Sequence, residues 1–80
     1  MESIITNFNW HDKVYRAELK PVMGMRGPFF HVIVNGMNKG NLTFDKQWVV
    51  SSGRGMSLDI GAQLGEAVEK YFFDNKKKLY

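Results

Sequence analysis

Cysteine is absent from the chain, which removes a disulfide scaffold, a thiolate zinc site, an iron–sulfur cluster and a cysteine nucleophile together. Histidine is scarce, with only His11 and His31. A metal site needs three or four converging ligands, so neither a metal nor any other cofactor is expected. Long apolar runs are missing as well. No stretch approaches the ~20 apolar residues of a membrane span, and the N-terminal residues combine Glu2 with no continuous apolar core of signal-peptide length. The expectation is a cytoplasmic protein with no membrane partner.

The motifs of common enzymes are also lacking. GxxxxGK[ST] and GxGxxG do not occur, and none of Ser51, Ser52 and Ser57 sits in a GxSxG nucleophile elbow. Asp12, Asp45 and Asp59 all stand in turn or cap contexts, where aspartate has a structural reason to be. No catalytic constellation emerges, so the chain reads as a non-enzymatic binding module without a small-molecule substrate.

What the chain does have is enough apolar material for one core. Its 80 residues are 44% hydrophobic and include two Trp, three Tyr and six Phe, the composition of a globular domain. Such a length fits a single domain, here residues 1–75, followed by a basic tail at 76–80. Charge is unevenly placed. Residues 12–54 hold seven basic side chains against three acidic ones, whereas residues 55–75 hold Lys70 against Asp59, Glu66, Glu69 and Asp74. The strand region is therefore basic and the helix acidic, which polarises the molecule if they form opposite layers. Lys76, Lys77 and Lys78 supply the whole net charge of +3, leaving residues 1–75 at zero.

Periodicity gives the elements. Ile4, Thr6, Phe8 and Trp10 share one side of a period-2 run, and residues 11–13 form a turn. In the next run Tyr15, Ala17, Leu19 and Pro21 alternate with Arg16, Glu18 and Lys20, the pattern of a half-buried strand. Gly24, Gly27 and Pro28 break regular structure. Residues 29–35 are β-branched and aromatic on both faces, which suits a central strand with Phe30, Val32 and Val34 on one side and Phe29, His31 and Ile33 on the other. Asn35, Gly36 and residues 38–41 provide a hairpin connection. A further strand runs from Leu42 towards Val50, whole or split by a turn at residues 45–47. Residues 51–55 form a second loop.

Ser57 or Asp59 then caps a helix whose Ile60, Leu64, Val68, Tyr71 and Phe72 make one stripe of 3.6-residue period. Gly61 and Gly65 each cost ~1 kcal/mol relative to alanine inside a helix. Their spacing marks a flat patch where another backbone comes close, either the protein's own sheet or a second subunit. The fold class is thus α+β, an antiparallel sheet of four or five strands with one C-terminal helix packed on one face.

The face opposite the helix carries the functional expectation. Arg16, Lys20, Phe29, His31 and Ile33 combine positive charge with flat or apolar groups, and flexible basic loops at Arg26, Lys39 and Arg54 add to it. Sheets of this kind hold single-stranded DNA or RNA by stacking bases and tracking phosphates. Arg54, between Gly53 and Gly55 and just ahead of a helix, is placed to meet one phosphate. The competing expectation is a protein-interaction or scaffolding module that self-associates as a homodimer through a sheet face, a strand edge or the Gly61 and Gly65 patch.

Overall fold

The computed structural model describes residues 3–24, 27–52 and 55–74. Five strands, β1 (Ile4–Trp10), β2 (Lys13–Pro21), β3 (Phe29–Val34), β4 (Met37–Phe44) and β5 (Trp48–Ser52), are followed by a three-residue β6 (Gly55–Ser57) and by the helix α1 (Leu58–Asp74). Each strand pairs antiparallel with the next in simple sequence order. The α+β class and the terminal helix are as expected. Arg26, Arg54 and the basic tail lie outside the described residues.

Two-residue turns set the register of the hairpins. His11 and Asp12 link β1 to β2 with φ of 50° and 61°, and Asn35 and Gly36 link β3 to β4 with φ of 54° and 76°. Two successive positive φ values match the twist of the flanking strands, which is why an Asn-Gly pair is so effective there. That pair is a complete connection by itself. Residues 38–41, expected as loop, consequently belong to β4, and the strand expected from Leu42 to Val50 is split at residues 45–47, where Lys46 has φ 68°.

Alternation sends Ile4 and Phe8, Ala17 and Leu19, Phe30, Val32 and Val34, Leu42, Trp48 and Val50 to the inner face, where Leu64, Val68 and Phe72 of α1 meet them in one core. Trp10, on the same side of its run as Ile4 and Phe8, is 46% exposed because it ends its strand beside the turn, its ring 4.4 Å from that of His11. The helix packs chiefly on β1, at one end of the sheet, and on β5, next to the other end. The sheet must curl to bring both to one helix, and its convex side remains uncovered among the described residues.

Gly61 and Gly65 explain how closely α1 sits. A methyl at Gly61 would stand 2.5 Å from the Trp48 carbonyl oxygen, and one at Gly65 would overlap the Trp48 ring. The protein's own sheet, one of the two expected occupants of the glycine patch, lies against both glycines. Both glycines are buried. The same helix also holds the Trp48 ring, whose indole Nε1–H donates to Glu69 Oε1 at 3.0 Å.

Candidate nucleic-acid interface on the convex face

Register decides which side chains share the uncovered face, since a shift of one residue would turn each to the core. On β2 these are Arg16, Glu18 and Lys20, alternating with buried Ala17 and Leu19. On β3 they are Phe29, His31 and Ile33, alternating with buried Phe30, Val32 and Val34. Pairing of the two strands sets Lys20 beside His31 and Glu18 beside Ile33. Arg16, Lys20, Phe29 and His31 therefore fall on one surface, as the sequence pattern implied.

Neighbouring strands complete the surface with neutral groups. Asn7 lies opposite Arg16 and Ile5 opposite Glu18 on β1, while Asn41 lies opposite His31 and Thr43 opposite Phe29 on β4. Ile5 is 51% exposed. Phe29 and Ile33 are half-buried, so each presents part of its surface to solvent. The Phe29 ring meets the His31 ring edge-on, centroids 6.1 Å apart at 89°, a favoured aromatic geometry that fixes both planes.

Two asparagines orient His31. Asn41 Oδ1 lies 2.9 Å from Nδ1 and Asn38 Nδ2 lies 3.2 Å from the same nitrogen. Asn38 Oδ1 accepts the Gly40 N–H at 2.9 Å, which commits its amide nitrogen to donate towards the imidazole. One nitrogen cannot donate and accept at once. The tautomer with a bare Nδ1 thus pairs with Asn38, and a ring protonated at Nδ1 pairs with Asn41. Either way the ring is held in place.

The charged groups behave differently. Arg16 and Lys20 are exposed and Glu18 is half-buried, and among the described residues none of the three makes an ion pair or side-chain hydrogen bond within the chain. Among the described residues of β2 and β3, this face carries Arg16 and Lys20 against Glu18. Lys13 opens β2, Lys46 lies in the β4–β5 turn, and Lys39 is in a strand rather than a flexible loop. The pairing of β3 with β4 steps from Val32 and Gly40 to Ile33 and Asn38, leaving Lys39 as the extra residue of a β-bulge.

A shallow depression of about 290 Å³ lies on this face, lined by Ile5, Arg16, Ala17, Glu18, Ile33, Asn35 and Gly36. Glu18 and Asn35 were not among the residues singled out in advance. Alternation alone placed Glu18 on the right side of β2, but its flanking by Ile5 and Ile33 depends on pairing across three strands. A second hollow, lined by Asn9, Trp10, His11, Asp12 and Asp59, carries two carboxylates and suits no polyanion.

His11 and His31 lie apart, one in the β1–β2 turn and one on β3. Among the described residues no three His, Asp or Glu side chains gather as metal ligands, and no helix is long and apolar enough to cross a membrane. No protein-family model, curated protein or solved structure matches the chain.

Proposed function

We propose that this protein is a non-enzymatic module, working in the cytoplasm, that holds single-stranded DNA or RNA on the convex face of its sheet. The observation that carries this reading is that Arg16 and Lys20, which share a face with Phe29 and His31, have no partner among the described residues. Unpaired cations of this kind are free to contact phosphates, and a half-exposed aromatic beside them gives a base a π-face to stack on. Lys20 stands next to His31 across the strands, so charge and ring are in reach of one nucleotide.

Fluorescence polarisation of a labelled, unstructured 12-nucleotide strand at low salt tests the reading. Arg16→Ala and Lys20→Ala should each weaken binding several-fold, and Phe29→Ala should cost ~1–3 kcal/mol if a base stacks there. Lys46→Ala, in the β4–β5 turn, should change little. Absence of binding at low salt, or equal losses in all four variants, would refute the proposal.

A further inference from the structure

We infer that the depression around Glu18 is a base-reading subsite selective for guanine, an inference that rests on the nucleic-acid reading above and adds a specificity to it. A carboxylate on a surface that meets phosphates weakens attraction, yet Glu18 stands between Arg16 and Lys20 on β2 with no cation among the described residues paired to it. Its surroundings suit another task. Ile5 and Ile33 flank it directly in one row across β1, β2 and β3. Aliphatic walls exclude water from a bound ring and strengthen a hydrogen bond made between them.

The chemistry of the bases then selects among ligands. An ionised carboxylate only accepts, and it accepts best from two parallel donors. On its Watson–Crick edge guanine presents N1–H beside the N2 amino group, two adjacent donors that match both oxygens of Glu18. Adenine and cytosine each place one amino donor next to a ring nitrogen that repels the second oxygen. Thymine and uracil present a single N–H between two carbonyls. The hollow of about 290 Å³ lies at the lower limit of small-ligand sites, ~300–1,000 Å³, which fits one base and little more. Arg16, two residues along the same strand and ~7 Å away, is placed for the adjoining phosphate.

The test compares nine-nucleotide thymidine strands whose central residue is thymine, guanine, adenine, cytosine or hypoxanthine, the last being guanine without its amino group. The guanine strand should bind about fivefold tighter than the all-thymidine strand, the low end for one bidentate pair at an open site. Hypoxanthine should forfeit most of that gain. In Glu18→Gln the gain should vanish while affinity for the all-thymidine strand is kept or rises, since a negative charge has been removed. Equal affinity for guanine and adenine strands, or a guanine preference that survives Glu18→Gln, would overturn the inference and leave the function intact. Failure of every strand to bind at low salt would instead remove the function and this inference with it.

Discussion

Gly61 faces the Trp48 carbonyl oxygen at 2.5 Å and the Val49 Cα at 2.7 Å from where a methyl would stand, and neither atom can move without shifting β5. Gly65 faces the Trp48 ring and, at 2.6 Å, the Trp48 Cβ, an atom that turning the ring does not move. Alanine gains ~1 kcal/mol of helix propensity at either position, against ~1–3 kcal/mol or more for overfilling a packed contact. Gly61→Ala and Gly65→Ala should therefore each destabilise the protein by about 2 kcal/mol. Gly36 has open space around it but φ of 76°, so Gly36→Ala should cost ~1 kcal/mol through backbone strain alone. Urea denaturation of the three variants gives the order. A stabilised Gly61→Ala would mean that α1 is not seated against β5.

Between elements, the join of α1 to β1 has a comparable signature. Asn9 donates its backbone N–H to Gln63 Oε1 at 2.8 Å, and Gln63 Nε2 donates to the Asn9 carbonyl at 3.0 Å. The side-chain amide thereby occupies the outer edge of β1 as a neighbouring strand would, covering part of an edge that would otherwise recruit other chains. Gln63→Ala should speed amide exchange at Asn9 while leaving Leu19 and Val32 protected, with a loss of ~1 kcal/mol in overall stability. Unchanged protection at Asn9 would show that water serves the same groups equally well. Elements defined by local pattern were readable in advance: the apolar alternation of residues 29–34 and the Ile60, Leu64, Val68, Phe72 stripe each specify their own secondary structure. The beginning of β4 was not readable, because Asn38, Lys39, Gly40 and Asn41 are turn-favouring residues drawn into a ladder by the hairpin before them. Gly40 is tolerated there because a side chain would collide with the Ser51 carbonyl of β5, a contact no local signal reveals. β6 is three residues among serines and glycines, too short for any period to show.

For the molecule as a whole, the convex face was legible to the extent that two alternating strands place Arg16, Lys20, Phe29 and His31 on one side. The position of Lys39 at a bulge, the asparagines holding His31 and the row of Ile5, Glu18 and Ile33 depend on pairing between strands, which composition does not encode. This distribution makes the electrostatics of binding unusually testable. Residues 1–75 carry no net charge, and Lys76, Lys77 and Lys78 carry all of it. If the face makes the phosphate contacts, two cations are engaged, and log K should fall with log salt at a slope of about −1.4 for a single strand. Arg16→Ala or Lys20→Ala should bring that slope to about −0.7. Removing residues 76–80 should reduce affinity at low salt through long-range attraction, which 0.15 M salt screens beyond ~8 Å, while the slope at that ionic strength stays near its full value. A slope that collapses on truncation yet ignores Arg16 would assign binding to the lysines and leave the sheet with no part in it.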